Sequence, residues 1–193
     1  MSAGEREPGG GGDNLGAGER LSSRQVFSGR VVDLSVDRVR MPNGRESDLE
    51  LLHFAGAAAV VPLLPGDDGD DVLLVRQYRY PTGGWLLEIP AGKIDGGEEP
   101  AATARRELRE ETGYRAGELE ELGWVWSTPG AADERIWLFA ARDLTPGESA
   151  LEDDELLEPH RLPLAEAVRR AGDGGICDAK TVCALLRLAG RSG

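Results

Sequence analysis

The stretch GKIDGGEEPAATARRELREETGY, residues 92–114, decides the fold of this chain. Pro100 suits the first turn of a helix, where a missing N–H costs nothing, and Gly113 suits a left-handed helix exit. The pattern therefore predicts a helix over residues 100–112. On that helix Glu107, Glu110 and Glu111 are three or four residues apart, or adjacent, so their carboxylates share one face.

Another stripe of the same helix, with Ala101, Ala104 and Leu108, can pack against a core. Like charges at the spacing of the three glutamates repel, so the arrangement costs stability unless a cation lies among them. Magnesium prefers oxygen ligands and usually shares them between carboxylates, water and phosphates. A solvated helix rich in Glu and Arg is the alternative for RRELREE alone, but the longer pattern favours a metal site.

The longer pattern resembles the Nudix box. In order it reads Gly, five residues, Glu, seven residues, Arg-Glu, a hydrophobe, one residue, Glu-Glu, one residue, Gly and a hydrophobe. The chain matches at every position, from Gly92 to Tyr114. The resemblance implies a magnesium-dependent hydrolase of diphosphates, with manganese as a substitute ion.

The resemblance also implies roles for the residues of the box. Glu107 and Glu111 would bind metal directly, and Glu110 would be a ligand or a catalytic partner that orients one. Arg106 would hold the carboxylates in place as part of the catalytic group, and Glu98 would support the loop and the metal shell. The backbone carbonyl of Ala91 would complete the coordination. Glycines in the loop of residues 92–97 let the backbone come close to the ions.

Length and composition predict one domain with a full core, since the chain has 193 residues and is 40% hydrophobic. Residues 1–23 are Gly-rich and charged, which is typical of a disordered leader, and leave a domain over residues 24–193. The leader has no hydrophobic region of a secretion signal, and no apolar run is long enough to span a membrane. We therefore expect a cytoplasmic protein with no membrane partner.

The formal net charge of −13 argues against a nucleic-acid partner. An acidic protein that binds an anionic substrate must gain attraction locally, from cations and a few arginines. Cys177 and Cys183 lack the spacing of a metal motif and are expected to be reduced thiols.

Apolar patterns predict strands before and after the helix. These cover residues 31–39, 48–54, 57–64, 71–78, 85–89, 122–126 and 136–140. The turn PGDDGD makes the third and fourth a hairpin, and helical periodicity returns over residues 163–171 and 179–189. The fold class is therefore α/β, a mixed β-sheet sandwiched between α-helices, which agrees with the Nudix fold.

Residues 26–188 resemble the ADP-ribose pyrophosphatase branch of the Nudix family. The resemblance rests on RQYRYPTGGWLLEIPAGKIDGGE, STPGAADERIWLFAARDL and DAKT, and on Pro129, fifteen residues after Tyr114. It implies cleavage of ADP-ribose to AMP and ribose 5-phosphate. The alternatives are a hydrolase of another nucleoside diphosphate sugar, such as GDP-mannose, and a non-catalytic sensor that binds ADP-ribose.

The same branch suggests substrate-binding residues besides Pro129. Arg79 would contact the substrate phosphates. Glu88 lies among apolar neighbours and needs a partner, so it either holds a backbone group or an arginine, or contacts substrate. Arg45 would reach the substrate from a partner subunit, since the N-terminal strands, residues 24–54, are expected to contribute to a homodimer.

The attacking water also needs a group that orients or deprotonates it. In this branch the group is expected from an acidic loop after the box, which here is LEDDELLE, residues 151–158. Alignment of the following segment favours Glu155 as the catalytic residue, with Glu152 in reserve and Asp153 as a solvated residue.

Overall fold

The computed structural model describes residues 17–149 and 156–191, which belong to two compact units, Met1–His53 and Phe54–Gly193. The first unit is a three-stranded antiparallel sheet in the order β1-β2-β3. Its strands are β1 (Glu19–Ser28), β2 (Asp33–Arg40) and β3 (Glu46–His53). The second and third strands match the sequence expectation closely.

Strand β1 begins inside the segment that we predicted to be a disordered leader. Residues 19–23 are extended and pair with β2, and the register places Glu19 opposite Arg40. The two side chains form an ion pair with an N–O distance of 2.6 Å. The predicted boundary at residue 23 is therefore too late, because cross-strand pairing stabilises a segment that has little apolar surface of its own.

The second unit contains the remaining helices and strands. Its strands are β4 (Ala57–Gly66), β5 (Gly69–Arg79), β6 (Gly84–Glu88), β7 (Ala91–Lys93), β8 (Tyr114–Trp126), β9 (Arg135–Pro146) and β10 (Leu157–Pro163). Its helices are α1 (Pro100–Thr112), α2 (Leu164–Asp173) and α3 (Ala179–Ala189). The strands form one sheet in the order β10-β5-β4-β9-β8, with β6 paired to β5 and β7 paired to β4. The β4–β9 pair is parallel and the others are antiparallel, so the sheet is mixed.

Strand β4 shows why helices cover both faces of this sheet. Its side chains alternate between two core clusters: Ala58 and Val60 pack with Ala104 and Leu108 of α1, whereas Val61 packs on the opposite side. The second cluster includes Ala167 of α2 and Ala184, Leu185 and Leu188 of α3. A strand buried on both faces is apolar without alternation, as AAAVVPLL is. The prediction of a mixed sheet between helices is thus confirmed.

Helix α1 has the bounds that Pro100 and Gly113 predicted. Gly113 adopts a φ of 77°, and its N–H donates to the carbonyl of Arg109. Strand β7 precedes α1 through the loop that carries Glu98, and β8 follows it directly. None of the helices in residues 17–149 and 156–191 is long and apolar enough to cross a membrane.

Candidate active site

Helix α1 turns two of its glutamates inward. Glu107 and Glu111 are buried, together with Thr103, Ala104 and Leu108, while Glu110 is half-buried. Carboxylates one turn apart in a protein interior are costly unless charge and hydrogen bonds compensate them. The same face that anchors the helix therefore also carries its acidic groups.

Gly92 of β7 lies directly against the carboxylate of Glu107. A Cβ atom built on Gly92 would be 1.9 Å from Oε1 of Glu107 and 2.0 Å from its Cδ. Any side chain at this position would therefore displace the carboxylate. The backbone of Ala91 and Gly92 is held beside α1 by pairing with Ala59 and Ala58 of β4.

The guanidinium of Arg106 ties the acidic groups of the loop and the helix together. Nη1 donates to Glu107 Oε1 at 2.6 Å and to Glu110 Oε2 at 3.1 Å. Nη2 donates to Glu98 Oε2 at 3.2 Å and to the carbonyl of Lys93 at 3.0 Å. The structure thus brings together Arg106 with three of the glutamates that the box assigns to the site.

These contacts shift the pKa values of both partners. Burial alone would lower the pKa of the Arg106 guanidinium, but Glu98, Glu107 and Glu110 together raise it, so the group stays cationic. Hydrogen bonds from Arg106 and from the Thr103 hydroxyl, which is 2.8 Å from Glu98 Oε2, hold the pKa of Glu98 below its ordinary value. Pairing with Arg106 therefore favours the charged form of Glu98.

The chemistry of these donors fits a divalent metal ion. Within residues 17–149 and 156–191 no three carboxylate, imidazole or thiol groups converge on one point, since Glu107 and Glu110 point to Arg106. Magnesium, however, takes few protein ligands and completes its shell with water and phosphate oxygens. The buried carboxylates of Glu107, which faces a backbone without a Cβ at Gly92, and of Glu111 are of the type that such a partial shell needs.

A cleft of about 490 Å³ lies beside this cluster in the second unit. Its wall includes Ala91, Gly92 and Lys93 of β7 together with Arg79, Trp126 and Lys180. The cleft is thus lined by β7 next to Glu107, by the cationic side chains of Arg79, Lys93 and Lys180, and by the acidic side chains of Glu134 and Asp178. This combination suits a ligand that carries phosphate groups.

Glu88 holds two cationic residues of the cleft wall, Arg79 and Lys180. Its side chain is only 2% exposed and accepts two hydrogen bonds from Arg79, from Nε and from Nη2, each 2.9 Å long. The ammonium group of Lys180 binds Oε2 of the same carboxylate. Burial would raise the pKa of Glu88, but Arg79 and Lys180 outweigh it and lower the pKa. Of the two roles that the sequence left open, the observed contacts are those of a residue that holds an arginine.

Sequence reasoning did not single out Lys180. It lies at the start of α3, which is capped by Asp178, and is 92 positions from Glu88 in the chain. Only the segment DAKT, which carried part of the family resemblance, pointed to this region. No local pattern indicates that its ammonium group reaches a carboxylate at the end of β6.

Two other predicted residues, Arg45 and Pro129, are not among those that line the cleft. Arg45 is in the β2–β3 turn of the first unit, where its N–H donates to Asn43. Pro129 is in a turn that follows Ser127 and Thr128, two residues of the cleft wall, and the carbonyl of Thr128 accepts from the N–H of Ala131 at 3.0 Å. Glu155 lies outside the described residues, as do Glu152 and Asp153.

A mixed sheet between helices, with a glutamate-bearing helix beside a cleft that Arg79 and Lys180 line, suits a hydrolase that acts on diphosphate bonds. Comparison with known families gives the same class, since a model of the NUDIX domain matches residues 53–185. The chain belongs to the Nudix family.

Individual relatives cover most of the chain. It is 42% identical over 167 residues to a methanol dehydrogenase activator of Bacillus methanolicus, a match that covers 86% of this chain and 89% of that protein. It is 40% identical over 167 residues, with the same coverages, to an ADP-ribose pyrophosphatase of Bacillus subtilis. The crystal structure of an ADP compounds hydrolase matches with a TM-score of 0.78 at 27% identity, covering 93% of this chain and 96% of that one.

Proposed function

We propose that the protein hydrolyses the diphosphate of ADP-ribose to AMP and ribose 5-phosphate with the help of magnesium. The observation that carries the proposal is the pairing of two sites in one unit. The Glu107 carboxylate of α1 faces Gly92, and Arg79 and Lys180, which both bind Glu88, line the adjoining cleft. A diphosphate needs both, because it must be bound as an anion and made susceptible to attack by water.

The α1 side of the site would hold the metal through Glu107, Glu111 and Glu110, with Glu98 and the carbonyl of Ala91 in support. Bound magnesium neutralises phosphate charge and makes water a better nucleophile. Arg106 keeps the carboxylates in place through its four hydrogen-bonded partners. The group that orients the water is assigned to Glu155 on sequence grounds.

The cleft side of the site would hold the substrate. Arg79 uses Nε and Nη2 for Glu88, which leaves Nη1 for a phosphate oxygen. The turn of Pro129 would position the cleft residues Ser127 and Thr128 beside the sugar or base. The name of the Bacillus subtilis relative, 40% identical to this chain, favours ADP-ribose as the substrate.

The proposed setting is a cytoplasmic homodimer without nucleic-acid or membrane partners. The net charge of −13 opposes binding to a nucleic-acid backbone. In the first unit Val26, Phe27 and Val31 are about half exposed, which supports burial of the N-terminal strands by a second copy. Arg45 would then be offered to the partner's site. Light scattering in solution, with Phe27→Ser as the variant expected to weaken the dimer, tests this part.

Turnover of a substrate panel tests the proposed activity. Purified protein with magnesium would be given ADP-ribose, GDP-mannose, NADH and a diadenosine polyphosphate at equal concentrations. We expect the highest kcat/KM for ADP-ribose, with AMP and ribose 5-phosphate as the products, and no turnover in EDTA. A higher kcat/KM for GDP-mannose would identify GDP-mannose, rather than ADP-ribose, as the preferred substrate. Tight ADP-ribose binding without turnover would identify a sensor.

A further inference from the structure

Two cations share the single buried carboxylate of Glu88. Arg79 occupies both of its oxygens through two parallel hydrogen bonds, and Lys180 reaches Oε2 in addition. An arginine already compensates a carboxylate fully, and burying a further ammonium costs desolvation energy. The side chain of Lys180 is only 11% exposed, so its burial carries this desolvation cost. A role besides pairing with Glu88 would account for it.

Stabilisation of helix α3 does not account for the buried position of Lys180. Lys180 is the second residue of the helix, where the positive end of the helix dipole disfavours a cation. The helix start is instead stabilised by Asp178, whose Oδ2 accepts from the N–H of Thr181 at 3.0 Å. The Thr181 hydroxyl in turn accepts from the N–H of Ile89 at 2.9 Å, which links α3 to the end of β6. These bonds form without the lysine.

Lys180 completes a balance of charges around Glu88. Arg79 and Lys180 carry two positive charges, and Glu88 and Asp178 carry two negative charges, with Asp178 Oδ1 at 3.0 Å from the lysine. The group is therefore neutral. Without the lysine it would carry one negative charge on the wall of a cleft that is to receive a diphosphate, and that charge would repel the ligand.

We propose that Lys180 is a positioning residue for the diphosphate: it balances the second negative charge of Glu88 and Asp178, so that Glu88 can fix Arg79 in place without leaving a net negative charge on the cleft wall. The inference rests on the proposed function for the identity of the anion. It concerns an action through Glu88 and Arg79, and the lysine itself makes no contact with the substrate.

Three variants test this charge balance. Lys180→Met removes the charge and keeps the length of the side chain, and Lys180→Arg keeps the charge. The double variant Lys180→Met/Asp178→Asn restores neutrality, leaves the Arg79–Glu88 pair in place, and keeps a residue that can cap α3. Calorimetric titration with inorganic diphosphate in EDTA measures anion affinity without metal or turnover. Steady-state kinetics with the panel compound that the wild type hydrolyses fastest then separate KM from kcat.

For Lys180→Met we expect the Kd for diphosphate and the KM to rise by about tenfold, with kcat within about threefold of wild type. Lys180→Arg and the double variant should lie within about threefold of wild type in both constants. The matched control is Arg142→Met, which removes one positive charge from an exposed pair with Asp70 on another part of the surface and should change neither constant.

Other outcomes overturn the inference. If the double variant binds diphosphate as poorly as Lys180→Met, the lysine contacts the anion directly. If Lys180→Met lowers the melting temperature but leaves Kd and KM unchanged, its role is structural. Failure of the wild type to hydrolyse ADP-ribose while the diphosphate affinities follow the expected order would refute the proposed substrate and leave this inference standing.

Discussion

Replacing Gly92 by alanine should remove activity while leaving the fold in place. The new Cβ would meet Cδ of Glu107 at 2.0 Å, whereas ordinary contact begins at 3.4 Å, so the carboxylate must retreat by about 1.4 Å. Metal ligands tolerate shifts of only about 0.2 Å. A metal ligand contributes about 3 kcal/mol to transition-state stabilisation, so the loss of one ligand should lower kcat by a factor of about 10².

The cost to stability should be small by comparison. The clash falls on the end of a flexible side chain, and the main loss is the 2.6 Å hydrogen bond between Arg106 and Glu107. A partly buried, charge-assisted hydrogen bond contributes about 1–2 kcal/mol to the free energy of unfolding. Gly92 also takes no left-handed φ, so alanine brings no backbone strain.

The assay compares Gly92→Ala with Gly96→Ala from the same loop. A Cβ at Gly96 meets nothing within 4 Å, so this control should keep wild-type turnover. Turnover of ADP-ribose, magnesium affinity by calorimetry and the melting temperature would be measured for both. Wild-type turnover in Gly92→Ala would show that the observed position of the Glu107 carboxylate is not needed for hydrolysis.

Further predictions concern the other acidic residues. Glu111→Gln should abolish magnesium-dependent hydrolysis with an unchanged circular dichroism spectrum, and near wild-type turnover at saturating magnesium would show that Glu111 is not a ligand. Glu88→Gln should lower the free energy of unfolding at pH 7 by about 2 kcal/mol. The pKa of Glu88 is lowered in the folded state, so its carboxylate stabilises the wild type most at pH values above its ordinary pKa of 4.5. The stability difference between wild type and Glu88→Gln should therefore disappear as the pH falls through the folded pKa. A difference in melting temperature that stays constant from pH 7 to 3 would contradict this prediction. Glu155→Gln should lower kcat by about 10² to 10⁴ with little change in KM, and Asp153→Asn should be silent. A large loss in Glu152→Gln instead would move the catalytic residue three positions earlier.

The segments that the sequence predicted best have local signals at both ends. Helix α1 follows from Pro100 and Gly113, and α3 has its predicted bounds of residues 179–189 because Asp178 caps its first turn. The hairpin of β4 and β5 follows from two apolar runs on either side of an acidic turn. In each case a few adjacent residues determine the structure.

Strands β1 and β10 were missed because their own residues carry little information. Every residue of β1 is exposed, and the strand forms because it pairs with β2. Strand β10 contains Pro159 and Pro163 and buries only Leu162, so its sequence is typical of a loop. In the structure it pairs with β5 along its whole length. Lys180 was missed for a similar reason, since its partner is distant in the chain.

The distribution of charge in the site explains how so acidic a protein can bind a diphosphate. Glu98, Glu107 and Glu110 pair with Arg106, and Glu110 also pairs with Arg109, so that carboxylates are in excess over cations on the α1 side. The Arg79 group on the cleft wall is neutral and cannot offset that excess. A divalent cation bound on the α1 side should therefore strengthen the binding of a diphosphate. By thermodynamic linkage the effect is reciprocal, so substrate and magnesium must raise each other's affinity by the same factor.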